Sequence, residues 1–375
     1  MNRIVLIGNG FDLAHGLKTS YADFINWYWE QWREYLFFAH SNILEDPLCT
    51  IELNTEKTEF KTWHGFLFPA LNEYRKQSLS LFYNTLTNNK LMSIKSGVLL
   101  TKICNSVETK GWVDIEADYY ALLKEFVTQN NREEIEKLHD QFTYLQEKLV
   151  AYLEYVQHTC KDKKLASIRQ IVSQPINERD IAVSALRNNL NISLNWDDDV
   201  YPSDTLFLSF NYTLIAEDYV NDVKGTINHI HGVYYRPQSV IFGYGDEMDK
   251  HFEILSDIND NEYLRNIKSI RYLESDNYRK LLQFIEAAPY QIYIMGHSCG
   301  NSDRTLLNTL FEHKNCVSIK PFYYVKPDGT DNYRELVQNI SRNFKNKQAL
   351  RDKVVNKEYC ETLYSEKSYY HDKRR

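Results

Sequence analysis

Ile4-Val5-Leu6-Ile7 is a run of four apolar residues with β-branched members, and it stops abruptly on Gly8-Asn9-Gly10. Such a run reads as a buried strand, and a periodic helical segment follows within a dozen residues. A strand that ends in a glycine turn before a helix is how doubly wound α/β domains hold phosphates and riboses. The third glycine of the dinucleotide fingerprint is missing at its usual spacing. What the turn holds therefore depends on the rest of the chain, whose 375 residues can form one large domain or two.

Tyr21, Phe24, Ile25, Tyr28, Trp29, Trp32 and Leu36 fall on one helical face. An aromatic stripe of this kind reads as a core-facing helix before it reads as a base-stacking platform. From about residue 60 to 190 the pattern is helical with few strand signals. Ile135, Leu138, Phe142, Leu145, Leu149, Tyr152 and Val156 make a heptad seam, suited to a helical subdomain or to an oligomer interface. In Trp112-Val113-Asp114-Ile115-Glu116-Ala117-Asp118, the acids suit a helix start, or one of them faces a pocket.

Strand character returns at Thr205–Phe210, which runs into Asn211-Tyr212-Thr213, and at Ile227–Ile230, which runs into His231-Gly232. Further strands are expected at Ser239–Tyr244, at Tyr290–Met295 before Gly296-His297-Ser298-Cys299-Gly300, and, as the last, at Cys316–Val325. A helix should start near Ser302-Asp303, with these residues as caps, and a last one at Tyr333. Beyond 345 the charged tail reads as solvated. The expected architecture is a mainly parallel Rossmann sheet from residues 1–20 and 200–345, a helical insertion over 21–199, and a tail over 346–375. Gly8, Asn211, Gly232 and Gly296 all follow strands, so their ends should converge on one crevice.

The 44 basic and 51 acidic residues argue against a general nucleic-acid-binding surface. Six scattered cysteines without a C-x-x-C pair point to a reducing cytosol. The first apolar run is too short for a signal peptide or a membrane span, and no other stretch reaches span length. A cytoplasmic protein with no membrane attachment is expected.

Gly296-His297-Ser298-Cys299-Gly300 has the G-x-S-x-G form of a nucleophile elbow. A serine hydrolase would then draw its acid from Asp328 or Asp331 and its histidine from His313 or His371, and neither histidine is well placed. Gly16-Leu17-Lys18-Thr19 has the end of a Walker loop without its register. His229 and His231 share a strand face, but two ligands alone do not make a metal site, and no metal is expected. Asn211 and His231 form a third constellation. Cleaving an N-glycosidic bond needs a polar group to hold the base or water and a base to engage a ribose hydroxyl. An amide and an imidazole provide both without burying a net charge.

The segment Gly8-Asn9-Gly10-Phe11-Asp12-Leu13-Ala14-His15-Gly16-Leu17 resembles the sirtuin opening. Ser209-Phe210-Asn211-Tyr212-Thr213 with Glu217, His231-Gly232, and Gly296-His297-Ser298 with Asp303 resemble motifs of sirtuin-like bacterial domains. More closely still, Ile7–Leu17, Trp112-x-Asp114-x-Glu116 and Gly296-His297-Ser298-x-Gly300-x-Ser302-Asp303 resemble the bacterial abortive-infection AbiH family, in order along most of the chain. The resemblance implies a phage-defence protein that hydrolyses NAD or a related nucleotide as substrate, with no cofactor. Asn211 would then hold the nicotinamide side or the water, and His231 would act on the ribose. Gly8, Asn9, Gly10, Phe11, Asp12, Gly232, Gly296 and Ser298 would line the ligand, with His15, Asp114, Glu116 and Asp303 as further candidates. A phage-derived trigger or a partner defence protein, and a homo-oligomer, are the partners it suggests. Two departures stand out: Thr213 replaces an aspartate, and Asp12 replaces a serine beside the expected pyrophosphate. An unpaired carboxylate there would repel phosphate, so Asp12 pairs with a base, is protonated, or marks a different ligand. The zinc module of sirtuin deacetylases is absent. The class set against the hydrolase is a nucleotide-binding sensor without turnover.

Overall fold

Among the described residues nine strands are found: β1 (Asn2–Ile7), β2 (Ile43–Glu45), β3 (Cys49–Leu53), β4 (Met92–Ser96), β5 (Thr205–Ser209), β6 (Gly225–His229), β7 (Tyr290–Met295), β8 (Cys316–Val325) and β9 (Thr362–Ser365). They belong to a computed structural model that describes residues 1–37, 41–53, 92–110, 114–159, 164–187, 198–326 and 328–365. Trp112, Val113, Cys160, His371 and the basic end from Lys373 to Arg375 lie outside the described residues.

Six strands form one sheet in the order β6-β5-β1-β7-β8-β9, and every neighbouring pair is parallel. Counted in chain order within the sheet, that is 3-2-1-4-5-6, the Rossmann order. The expected α/β class with a mainly parallel sheet is therefore observed. All residues of β1, β5 and β7 are buried, as continuous apolar runs require when a sheet is covered on both faces. On one face Ile4, Leu6, Leu208, Ile292 and Ile294 pack with Leu281 and Ile285 of the helix Asn277–Ala287. Leu306 and Leu310 of the helix Arg304–Glu312 join them. The i, i+4 spacing of each helical pair presents one stripe to the sheet, and each buried aliphatic contributes about 1.5–3 kcal/mol. At the amino end of β1 the buried Arg3 guanidinium donates to the Val172 and Gln174 carbonyls and to Gln291, and lies 4.1 Å from the Tyr293 ring centre.

Two compact units result: residues 1–18, 153–254 and 266–375 form the first, and 19–152 with 255–265 the second. The expected division at residues 20 and 200 differs from this. Ala166–Val172 and Val183–Arg187 belong with the sheet, and the insertion ends inside the long helix Arg132–Thr159. The tail also departs from expectation. Val355, Cys360 and Leu363 are buried, and β9 pairs with β8, so the chain is packed to Ser365. A charged average hid these few apolar positions.

The expected strand at Ser239–Tyr244 is instead a buried loop. Ile241 N–H donates to the His231 carbonyl, and the Ile241 carbonyl accepts from the Tyr212 hydroxyl. Its apolar run reflects burial, which periodicity alone does not distinguish from a strand. A helix does begin where Ser302-Asp303 suggested, but the Asp303 side chain caps nothing.

In the second unit β2, β3 and β4 form an antiparallel sheet that the helical pattern concealed. The heptad residues Ile135 to Tyr152 are all buried within the chain, and Phe142 stacks on Tyr119 at 4.0 Å between ring centres. The seam is therefore not a free oligomer face. Asp114 caps the helix Ile115–Thr128 by accepting from Ala117 N–H, which settles the helix-start alternative for that acid. No helix among the described residues is long and apolar enough to cross a membrane.

Candidate functional site at the strand ends

The turn after β1 is built backbone against backbone with the loop after β7. Gly10 N–H donates to the Gly296 carbonyl at 2.8 Å. A side chain at Gly8 would lie 2.4 Å from His297 Cα, and one at Gly296 would lie 2.1 Å from Phe11 N. Gly296 also has φ +78, a conformation that L side chains rarely adopt. These glycines thus serve each other first; the close approach that was expected of a pyrophosphate is made here by a neighbouring loop.

Asp12 points inward. It accepts from the Asn211 amide at 2.8 Å and from the Thr213 hydroxyl at 2.6 Å, which ties the β1 turn to the end of β5. The Asn211 amide also donates to the Gly8 carbonyl at 3.0 Å, so both its N–H groups are engaged. Burial pushes the Asp12 carboxyl up to about 7 despite these bonds. The two departures in sequence thereby explain each other. The resemblance places a hydroxyl at 12 and an acid at 213; here the acid and the hydroxyl are exchanged, and the exchanged pair is hydrogen-bonded. An aspartate at 213 beside Asp12 would set two carboxylates against one another.

His15 is a clamp. Its Nδ1–H donates to the Phe11 carbonyl at 2.7 Å, which leaves Nε2 to accept from the Tyr219 hydroxyl at 2.6 Å. The carbonyl can only accept, so this tautomer is forced. Burial lowers its pKa.

His231, His297, Asp303, Lys268 and Tyr272 form a second cluster beyond β6 and β7. The Lys268 ammonium lies 2.8 Å from Asp303 Oδ1; His231 Nε2 is 3.4 Å from the same oxygen, and His297 Nε2 is 3.5 Å from Oδ2. The Tyr272 hydroxyl is 3.1 Å from His231 Nε2, and Phe210 meets both imidazoles edge-on. Burial and the nearby Lys268 charge lower the His231 pKa to about 3, so the ring is neutral at pH 7. Burial alone would push the Asp303 carboxyl up, but Lys268, the His297 hydrogen bond and the imidazoles hold it far below the usual range. His297 Nδ1 accepts from Cys299 N–H at 2.9 Å, so its proton sits on Nε2, toward Asp303.

A pocket of about 280 Å³ opens where these loops meet. Gly10 and Leu13 after β1, and Gly296, His297 and Ser298 after β7, form one side of it. The pocket lies beyond the carboxyl ends of β1, β7, β8 and β9. The opposite side comes from β8, β9 and the helix Tyr333–Arg342, including Phe322, Tyr324, Tyr364 and Glu335. The structure thus brings Gly10, Gly296 and Ser298 to the pocket. It sets Asp12, Asn211 and His231 in the buried networks behind these loops. Gly232, at φ +81, lets its loop pass Ser239, whose carbonyl a side chain would meet at 2.1 Å. Asp114 and Glu116 belong to the second unit.

Lys268, Tyr272 and Glu335 carried no signal in sequence. A lysine after Ile267 and a glutamate in a polar helix look like surface residues until the fold places them. Among the described residues, no group of three or more His, Cys, Asp or Glu is placed to hold a metal.

The elbow geometry is wrong for a serine hydrolase. The left-handed residue other than glycine in this loop is the fully buried Cys299, at φ +54, and not Ser298. His313 stacks near Tyr290, at the amino end of β7, and is bound to Glu286; Asp331 is bound to Lys357. A fluorophosphonate probe should therefore leave Ser298 unlabelled, as peptide mapping would show.

Residues 4–325 match the family model described as bacteriophage abortive infection AbiH. No curated protein and no solved structure matches the chain. A match over most of the length makes this chain a member of the AbiH family, with a role in abortive-infection defence against bacteriophage.

Proposed function

We propose that this AbiH protein acts in phage defence by binding NAD or a related nucleotide and hydrolysing its N-glycosidic bond. One observation carries this: a pocket over the carboxyl ends of a 3-2-1-4-5-6 parallel sheet, walled by the loops after the first and fourth strands on one side and by β8, β9 and the helix Tyr333–Arg342 on the other. Nucleotides in doubly wound proteins bind beyond the carboxyl ends of the strands.

In the reaction the base leaves with the bonding electron pair, an oxocarbenium-like ribosyl group develops, and water adds to it. The proton of that water must go to a base. His297 is the imidazole on the pocket wall; it would take that proton once its Nδ1 is released from the Cys299 N–H, and Asp303 behind it would then stabilise the imidazolium. Asn211 and His231 act as positioning residues, the first through Gly8 and Asp12, the second through Asp303. Loss of base yields a ribosyl product and depletes the nucleotide, which arrests the infected cell.

A second reading, a nucleotide sensor without turnover, is favoured by one feature: both His297 nitrogens are engaged in this state. A trigger from the phage would then be needed to free one of them, or no hydrolysis occurs at all. Purified full-length protein, incubated with NAD with and without lysate of infected cells, should release nicotinamide, measured by chromatography. His297→Ala should lower release about 10²-fold or more while NAD still binds. Binding without release under either condition leaves the sensor reading; no binding of any nucleotide defeats both.

A further inference from the structure

We propose that the pocket is selective for a nucleoside with a cationic base, the nicotinamide riboside end of an oxidised nucleotide, and that Glu335 reads that charge. The proposal rests on the nucleotide reading above and specifies which end of the ligand the pocket takes.

Most polar groups on the pocket wall are already committed. Asn332 Oδ1 accepts from Tyr324 N–H at 2.7 Å, Asn339 donates to the Ser298 carbonyl at 2.9 Å, and His297 is held by Cys299 and Asp303. Glu335, exposed on the first turn of the helix Tyr333–Arg342, has no hydrogen bond or ion pair with the described residues. Its carboxylate is available to a ligand. No lysine or arginine is among the described residues that line the pocket.

That charge balance suits a cation and opposes an anion. A phosphate beside Glu335 would add like charge, with no lysine or arginine among the described lining residues to offset it. The phosphates of a nucleotide must therefore point away from this wall. The aromatic side chains add to the same preference. Phe322, Tyr324 and Tyr364 line the pocket, and the two tyrosine rings lie 4.8 Å apart between centres. Ring faces attract a planar cation through their quadrupole, which a neutral ring of the same shape does not gain. A pyridinium ring in N-glycosidic linkage meets all three conditions: it is flat, positively charged, and joined to a ribose whose hydroxyls can donate to a carboxylate. The Ser298 hydroxyl, exposed on the facing loop, offers a further partner for that ribose. At about 280 Å³ the pocket accommodates one nucleoside, not both halves of a dinucleotide.

The test is calorimetric titration of the full chain with nicotinamide riboside and with its reduced, uncharged form. Wild type should bind the oxidised form about tenfold more tightly. Glu335→Gln keeps the shape of the side chain and removes its charge, so it should bring the ratio to about one. Glu335→Lys should reverse it. Equal affinity of wild type for the two forms, or a preference that Glu335→Gln leaves intact, would overturn the proposal while leaving nucleotide binding in place. If NAD and both ribosides all fail to bind, the nucleotide reading itself falls.

Discussion

Replacing Lys268 with methionine should destabilise the protein by about 3–5 kcal/mol at pH 8, the range seen when one partner of a buried ion pair is removed. Lys268 is 1% exposed and Asp303 8%. Methionine matches the lysine stem in length, so packing is retained and the loss is electrostatic. What remains is a buried carboxylate facing two imidazoles, of which His231 is neutral at that pH. The Lys268 charge is itself one cause of the low His231 pKa, so its removal should let His231 take up a proton as the pH falls. The variant should therefore recover part of its stability toward pH 5. Adding Asp303→Asn should restore a further part, since the orphaned charge is then gone. Urea denaturation of the single and double variants measures all of this. A cost below about 1 kcal/mol for Lys268→Met would mean that the cluster is wetter than the structure has it.

Asp12 and His231 should drive the pH dependence of stability in opposite directions. The Asp12 pKa is raised from 3.8 to about 7 on folding, so the folded state holds its proton more tightly. Its contribution is fully present below pH 3.8 and is lost as pH rises through 7, by about 4 kcal/mol at 1.36 kcal/mol per unit. The His231 pKa falls from 6.5 to about 3, so its contribution is present above pH 6.5 and is lost as pH falls through 3. Between pH 4 and 6.5 the two slopes oppose each other. Asp12→Asn should remove the first slope and leave a protein that loses stability with acid more steeply than wild type. Relative to wild type, this variant should gain about 4 kcal/mol between pH 4 and 7.5. His231→Gln, which can still bond Tyr272, should show the reverse trend and gain relative to wild type as the pH falls. Parallel stability curves for wild type and Asp12→Asn would show that this carboxyl titrates normally in the folded protein.

Much of this site was legible because it is local. The Ile4–Ile7 run, its glycine turn, and the loop at Gly296 are contiguous signals, whereas the sheet order is set by long-range pairing and was not legible. Asn211 and His231 could be placed just past strands because those signals too are contiguous. Their roles were not legible, because hydrogen-bond partners are set by long-range packing: Asp12 lies 199 residues from Asn211. The same holds for Lys268, which reads as a surface lysine until Asp303 is brought beside it. The pocket's far wall was missed for another reason. It is built from β8, β9 and the helix at Tyr333, where a charged tail masks a short strand and Glu335 looks like one more solvated acid. The exchange of acid and hydroxyl between positions 12 and 213 was visible as two separate departures, and only their contact shows them to be one.

The most direct test is a crystal structure of the full chain grown with NAD. Density for the nucleotide in the pocket bordered by Gly10, Ser298, Tyr324 and Tyr364, with the pyridinium ring on the Glu335 side and the phosphates directed away from it, is the predicted result. NAD bound elsewhere on the chain, with this pocket empty, would contradict it.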